Sequence, residues 1–221
     1  MMKMMKPLLG LCWVLVLVLV LVLTGRSSAQ MPHRCRTPAL LSGSMSVSAR
    51  EGQDWVLAKY RYDAIGQRIR LWEFGQVQSK SFHADMLFLF REAVVYSIDY
   101  KNRTCQKNPL HTAFHPSHIP HNASLLSQVI LGGSSAPGEG LLVNTWTGDV
   151  PATAGKYLAT VTEFGCIPVS TLYYTPKTGW ILTSYFNAVT GIEDPEQFFP
   201  PPFCAHADTK EEQLDFFSAF Y

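Results

Sequence analysis

Short β-rich runs joined by links of hairpin length dominate this sequence, and they constrain the fold more than any other feature. Valine, isoleucine, threonine and aromatic residues recur in the runs, and these residues suit the pleated surface of a strand. Residues 63–66 connect the first two runs, and residues 176–179 form a turn between the last two. The runs are residues 55–62, 67–74, 86–90, 93–99, 140–147, 156–162, 167–174 and 180–186. Short links favour antiparallel neighbours, so the sequence predicts a mainly β, largely antiparallel fold of one sheet or a pair of sheets.

Several of these runs are apolar on both faces. A strand with one wet face alternates apolar and polar residues, whereas residues 86–90 read Met-Leu-Phe-Leu-Phe. Likewise, Trp72 and Phe74 have the opposite parity to Ile69 and Leu71. Both faces are therefore covered. The cover is sheet-on-sheet packing, an apolar cavity between curved sheets, or a dimer surface across one sheet.

Helical periodicity is scarce. Residues 195–199 have room for a single turn, and residues 210–217 predict a short C-terminal helix. The chain ends in the strongly aromatic stretch Phe-Phe-Ser-Ala-Phe-Tyr, residues 216–221. Such a tail can pack on a sheet, cap a groove or contact a partner, and the sequence does not choose between these roles.

The N-terminal residues read as a secretory signal peptide. Lys3 and Lys6 precede the apolar run 8–23, and Ser27 and Ala29 then supply the small residues of a cleavage site. The alternative, a membrane anchor, is disfavoured because sixteen helical residues span about 24 Å, short of a hydrocarbon core of about 30 Å. We therefore expect residues 1–29 to be removed, with no transmembrane segment in the mature chain.

The charge balance excludes one class of partner. The chain carries 18 Lys+Arg against 17 Asp+Glu, and loss of Lys3, Lys6 and Arg26 with the leader leaves a small net negative charge. No basic field remains to hold a phosphate backbone, so we expect no nucleic-acid partner. With 47% hydrophobic and 16% charged residues, the composition is that of a folded protein.

Cysteines and sequons agree with export. Four cysteines follow the leader: Cys35, Cys105, Cys166 and Cys204. In an exported chain they predict two disulfides, for which three connectivities are possible. Asn102 and Asn122 each begin an acceptor sequon without proline, so we expect N-glycosylation at both.

Metal and phosphate motifs are weak or absent. Residues 133–138 have the glycine spacing of a phosphate loop, but Glu139 and Gly140 stand where Lys and Ser or Thr are required. Four histidines cluster between residues 111 and 121: His111, His115, His118 and His121. Zinc or copper is the less favoured interpretation, because Pro116 and Pro120 break any helix there. A solvated loop that gains charge below about pH 6.5 is the favoured one.

Acidic residues cluster at residues 193–196 and again at Glu211, Glu212 and Asp215. Close carboxylates can bind calcium, although most such clusters are solvated surface, so the metal-ligating side chains stay unknown. The sequence has no nucleophile elbow, zincin motif or EF-hand loop, and all four cysteines after the leader have expected partners. We therefore expect a protein that is not an enzyme, with a hydrolase as the disfavoured alternative.

Four segments together resemble the ependymins, secreted glycoproteins of fish brain extracellular fluid, and the wider ependymin-related family. They occur in family order along nearly the whole mature chain, and the acidic, Phe-rich ending is similar as well. The segments are Cys35 with Pro38 and residues 42–45 (Ser-Gly-Ser-Met), residues 95–105, residues 165–170 (Gly-Cys-Ile-Pro-Val-Ser) and residues 194–204.

The resemblance implies a fold of two curved antiparallel sheets enclosing a deep apolar pocket, within a single domain at residues 30–221. It implies the disulfides Cys35–Cys166 and Cys105–Cys204 and a homodimer. It also implies calcium binding, largely through sialylated glycans on Asn102 and Asn122. Roles in neural plasticity, axon regeneration and cell–matrix contact follow from the same resemblance. So does secretion into cerebrospinal fluid, with the lysosomal lumen as the alternative location.

We therefore expect a secreted, calcium-binding glycoprotein that holds a lipid or other hydrophobic molecule by burial of apolar surface. The alternative is an extracellular adhesion protein that contacts matrix partners through its surface and glycans. The predicted pocket residues are Trp72, Phe74, Phe88, Phe90, Tyr96, Trp146, Tyr173 and Phe186.

Overall fold

A computed structural model describes residues 13–19 and 31–207. The chain divides into two compact units, Met1–His33 and Arg34–Tyr221, and in the first of them residues 13–19 are helical. Within the described residues, no helix has the length and apolar character needed to cross a bilayer.

The described part of the second unit folds into one antiparallel sheet of eleven strands. The strands are β1 (Leu40–Ala49), β2 (Asp54–Asp63), β3 (Arg68–Val77), β4 (Lys80–Leu89), β5 (Val94–Asp99), β6 (Thr104–Pro109), β7 (Ser124–Gly132), β8 (Gly140–Val150), β9 (Gly155–Thr162), β10 (Pro168–Thr175) and β11 (Gly179–Thr190). In space they follow the order β6-β5-β4-β3-β2-β1-β11-β10-β9-β8-β7. The sheet is thus two meanders, β1–β6 and β7–β11, joined where β1 pairs with β11.

The predicted mainly β, antiparallel fold is confirmed, and the eight predicted runs correspond to β2–β5 and β8–β11. The strands form one continuous sheet, however, instead of the two sheets that the resemblance implies. The physical reason is that β1 has a partner on each side, with Val47 opposite both Val56 of β2 and Thr183 of β11. Sequence reasoning missed β1, β6 and β7.

One side of the sheet, which we call the inner face, carries most of the core. Leu41, Val47, Val56, Leu71 and Val95 of the first meander are almost inaccessible there. In the second meander the same face carries a smaller cluster around Trp146, Tyr157 and Val161. Burial raises the pKa of Tyr60, on this face, to about 12. The buried side chains make the inner face an apolar core, and the Tyr60 phenol within it stays neutral at physiological pH.

The opposite side, the outer face, is covered at one end by the C-terminal segment, which we define as residues 192–204. Phe198 of this segment is buried to 1% exposure against Leu87, Leu89 and Ile98. The disulfide Cys105–Cys204 ties the segment to β6, and the disulfide Cys35–Cys166 lies at the inner-face cluster of the second meander. These are the two pairs that the resemblance implies. The two-sided strand β4 is now explained, because Phe88 faces the inner core and Leu87 faces the segment.

Short 3-10 turns complete the described chain: Arg50–Gly52, Pro151–Thr153, Pro195–Phe198 and Pro202–His206. The single turn predicted at residues 195–199 is confirmed, and Asp194 begins it by accepting hydrogen bonds from the Glu196 backbone N–H and the Gln197 amide, both at 3.0 Å. The last turn gives the described chain a short helical end. The helix predicted at residues 210–217 lies outside the described residues, as does the aromatic tail.

Candidate functional site

A groove of about 1200 Å³ lies on the outer face, beside the C-terminal segment. That volume exceeds the roughly 300–1,000 Å³ that is usual for small-molecule pockets, as expected for an open groove. Its lining extends over seven neighbouring strands, from β6 through β5, β4, β3, β2 and β1 to β11, which is about 29 Å at about 4.8 Å per strand spacing. The lining side chains on the outer face include Ser44, Leu57, Lys59, Arg61, Trp72, Phe74, His83 and Phe186.

Ser44 of β1 contributes to the floor of this groove, and it belongs to a row of serines on that strand. Residues 40–49 read Leu-Leu-Ser-Gly-Ser-Met-Ser-Val-Ser-Ala, and the even positions 42–48 are all serine. Their odd neighbours Met45, Val47 and Ala49 are buried in the inner core, so the pleat turns every one of these serines to the outer face. Small side chains along one strand leave room between the larger residues of β2 and β11. The strict alternation therefore builds a core on one side and a channel floor on the other.

Aromatic side chains give the groove an apolar end. Phe74 is 44% exposed and lies edge-on to Trp55, with ring centroids 6.2 Å apart. On its other side Phe74 stacks against His83 at 6.0 Å. Phe186 of β11, opposite Ser44 in the register, is 41% exposed across the floor. Several large apolar rings exposed in one concavity favour contact with an apolar partner.

A buried ion pair supports the wall of the groove. Arg70, 3% exposed, donates to both carboxylate oxygens of Asp85 at 2.9 and 2.8 Å. Its remaining donors reach the backbone carbonyl of Gln197 at 2.6 Å and the hydroxyl of Tyr100 at 3.2 Å. The guanidinium thus ties the C-terminal segment and the β5–β6 turn to the sheet. Burial opposes the charge of Arg70, but the hydrogen bonds that its guanidinium donates to Asp85 and Tyr100 raise its pKa, so this guanidinium stays charged.

The structure divides the eight predicted pocket residues among four places. Trp72, Phe74 and Phe186 lie together in the groove. Phe88 and Phe90 belong to the inner core of the first meander. Trp146 and Tyr173 belong to the inner-face cluster of the second meander, and Tyr96 packs beneath the C-terminal segment.

Sequence reasoning missed Ser44, Leu57, Lys59 and Arg61 as groove residues. Cross-strand register was the signal that could have found two of them, because Leu57 lies opposite Phe74 and Lys59 lies opposite Trp72. That register follows from the hairpin at residues 63–66, which the sequence analysis had located. Ser44 can be assigned to the groove only from the pairing of β1 with β2 and β11, and no turn motif in the sequence predicts that pairing.

The two sequon asparagines are exposed on turns. The side chain of Asn102 donates to Asp99 at 2.7 Å, and its backbone N–H donates to the same carboxylate at 3.0 Å. These hydrogen bonds lower the pKa of Asp99. Asn122 lies on the turn before β7. Both side chains are on the surface, where a glycan can be attached.

The fit of a calcium ion to protein side chains is poor over the described part of the chain. There, no group of three His, Cys, Asp or Glu side chains lies close enough together to hold a metal ion. The carboxylate of Asp194 is used by its own turn, and that of Asp99 is used by Asn102. The four histidines of residues 111–121 are each exposed.

Comparisons with known proteins agree on one family. A family model described as Ependymin matches residues 78–204. Ependymin-2 of Carassius auratus is 34% identical over 197 residues, covering 88% of this chain and 90% of the relative. Ependymin of Esox lucius is 35% identical over 191 residues, covering 86% of each chain. Among solved structures, an uncharacterized conserved protein from Thermus thermophilus matches the fold with a TM-score of 0.51 at 10% identity, covering 79% of this chain and 91% of that one.

Proposed function

This chain belongs to the ependymin family, and from that premise we propose that it is a secreted, non-catalytic glycoprotein that carries a hydrophobic molecule in the outer-face groove. The observation that carries the proposal is the exposure of Phe74 and Phe186 in a groove of about 1200 Å³, where the small side chain of Ser44 lies beside Phe186. Burial of apolar surface gains roughly 25 cal/mol per Å², which gives useful affinity without specific polar contacts.

Export is supported by the leader and by the disulfides Cys35–Cys166 and Cys105–Cys204, since such bonds persist in oxidising compartments. The proposal includes the role in neural plasticity and axon regeneration that the resemblance implies, with delivery of the bound molecule as its physical basis. Extracellular fluid is the proposed site of action, and no observation favours the lysosomal lumen.

Native mass spectrometry of the secreted protein, followed by organic extraction, tests the proposal directly. A discrete hydrophobic species released on denaturation supports the carrier. A protein that is clean of any such species, and that gains none when incubated with lipids, would contradict it and favour the adhesion alternative. The same spectra report whether the homodimer forms.

Filling the groove should abolish binding without unfolding the protein. Ser44→Phe places a ring on the floor between Lys59 and Phe186, and we expect the affinity for the neutral probe N-phenyl-1-naphthylamine to fall at least tenfold. Ser44 faces the outer side and is only partly buried, so the melting temperature should change little.

Ser135→Phe is the matched control, because it adds the same ring to the exposed β7–β8 loop. Probe fluorescence titration and circular dichroism melting are measured on both variants. Equal probe affinity for wild type and a folded Ser44→Phe variant would show that the hydrophobic site is elsewhere.

For calcium we propose binding through sialylated N-glycans on Asn102 and Asn122, because the described side chains provide no cluster of ligands. Thr104→Ala with Ser124→Ala removes both sequons and leaves the contacts between Asn102 and Asp99 intact. We expect this variant to lose most of the calcium bound in equilibrium dialysis, at unchanged folding. Asp194→Asn is the control and should keep its calcium. Full calcium binding by the variant without sequons would place the site on protein side chains.

A further inference from the structure

One edge of the groove is formed by Lys59 and Arg61 and is basic, in contrast to the aromatic end. Along β2, Leu57, Lys59 and Arg61 point successively to the outer face. Same-face neighbours on a strand are about 7 Å apart, so the groove changes from apolar to basic over about 13 Å. A ligand lying along β2 meets hydrocarbon at one end and positive charge at the other.

The two cations of this edge have no carboxylate partner in the part of the chain that the structure describes, where neither Lys59 nor Arg61 forms an ion pair. Of the nearby carboxylates, Asp85 pairs with Arg70 and Asp63 pairs with Arg68. The wider lining also holds Lys101, Glu73 and Asp99, but Lys59 and Arg61 are adjacent on one face of β2, so this edge presents two positive charges to which an anion would be attracted.

The side chain of Arg61 has a buried hydrogen-bond donor that is not satisfied by the described residues. Its guanidinium carbon lies 5.1 Å from the ring centroid of Trp72, which orients the planar group. Its Nε is buried and has no hydrogen-bond partner among residues 31–207. A buried donor left unsatisfied is costly, and such a group in a native protein calls for an acceptor that completes it.

Arg70 provides an internal comparison. Its guanidinium carbon lies 4.9 Å from the ring centroid of Trp72, and its donors are satisfied by Asp85, Gln197 and Tyr100. Trp72 thus lies near two guanidinium groups, of which that of Arg61 has a buried Nε without an acceptor among the described residues. Arg70 receives its carboxylate from Asp85 within the protein, whereas the corresponding acceptor for Arg61 would come from a ligand.

We propose that the Lys59–Arg61 edge binds the anionic head of a single-chain amphiphile whose hydrocarbon tail lies along Leu57, Phe74 and Phe186. The head is a carboxylate or a phosphate monoester, because the guanidinium fork pairs with two oxygens of either group. This inference rests on the proposed carrier function and adds the class of ligand and its orientation.

The test compares oleate, oleyl phosphate and oleyl alcohol, which share one tail and differ in the head. Displacement of N-phenyl-1-naphthylamine below the micellar concentration gives each dissociation constant. We expect both anions to bind at least tenfold more tightly than the alcohol, since charge-assisted hydrogen bonds are the strong ones. The ratio of oleate to oleyl phosphate then identifies the preferred head. Added salt should weaken binding of the anions and leave the alcohol unaffected.

Single substitutions locate the head. Arg61→Gln should weaken oleate binding about tenfold or more, and Lys59→Gln should weaken it several-fold, with oleyl alcohol unchanged within about twofold. Arg61→Lys keeps the positive charge but loses the planar guanidinium group, so its affinity for oleate should lie between those of wild type and Arg61→Gln. Lys177→Gln, on the exposed β10–β11 turn, removes a charge away from the groove and should have no effect.

Each failure has a distinct meaning. If oleyl alcohol binds wild type as tightly as oleate does, the head site is wrong while the carrier function stands. If none of the three compounds binds, the carrier function fails as well. Light scattering on the same samples measures the oligomeric state, because a second copy of the chain could occupy this edge instead of a ligand. An Arg61→Gln variant that changes oligomeric state and keeps its oleate affinity would assign the edge to a second copy of the chain and overturn the proposal.

Discussion

Replacing Cys105 and Cys204 together by serine is expected to lower the free energy of unfolding by about 3–5 kcal/mol. The bond closes 99 residues of sequence, and the chain-entropy estimate for a loop of that length is about 4.7 kcal/mol. The substitution also releases the C-terminal segment, whose Phe198 is buried against the outer face. Because this segment borders the groove, we expect the affinity for N-phenyl-1-naphthylamine to fall as well. Urea unfolding and probe titration measure the two effects.

The other disulfide supplies the matched control. Cys35→Ser with Cys166→Ser opens a loop of 131 residues, so the entropic loss should be similar. That bond lies at the inner-face cluster and does not hold the segment, so probe affinity should survive at temperatures where the variant is folded. Equal probe affinity in the two folded variants would mean that the segment does not shape the groove.

Asp85→Ala is expected to lower the free energy of unfolding by about 3–5 kcal/mol, because it leaves the buried Arg70 guanidinium without its carboxylate. The size of the loss reflects an uncompensated charge and not the net contribution of the pair. Urea unfolding at pH 7 measures it.

The double variant Arg70→Met with Asp85→Leu separates these two quantities. It removes both charges and keeps apolar volume, so we expect it to recover more than half of the loss. A loss below about 1 kcal/mol for Asp85→Ala alone would indicate that water reaches the guanidinium, and it would argue against a dry wall at this end of the groove.

The sequence predicts well those strands whose turns and patterns are local. The hairpin at residues 63–66 locates β2 and β3, and the opposite parities of Leu71 and Trp72 match their burial on opposite faces. The strand β1 was missed because four serines and a glycine resemble a loop when residues are counted without their alternation. The polar stretch of β6 and the exposed β7 were missed because neither has a clear apolar face.

The candidate site was only partly predictable for a similar reason. An aromatic residue on a two-sided strand can face either side, and its own sequence neighbourhood does not tell which side has a cavity. Phe88 and Trp72 look alike by composition, yet one lies in the inner core and the other in the groove. The distinction depends on the C-terminal segment and on the partners of β1, both of which are set by contacts between residues far apart in the chain.

The seam between β1 and β11 has a consequence for the order of folding. During synthesis β2 follows β1 almost at once, whereas Ile181, the partner of Ala49, is made 132 residues later. At about 5–20 residues per second, one edge of β1 waits roughly 7–26 s for its partner. The disulfides also form late, since 131 residues separate Cys35 from Cys166 and 99 residues separate Cys105 from Cys204. An unpaired strand edge invites association with other chains. The row of serines on β1, of which Ser44 lines the groove in the finished protein, keeps one face of that unpaired strand hydrophilic.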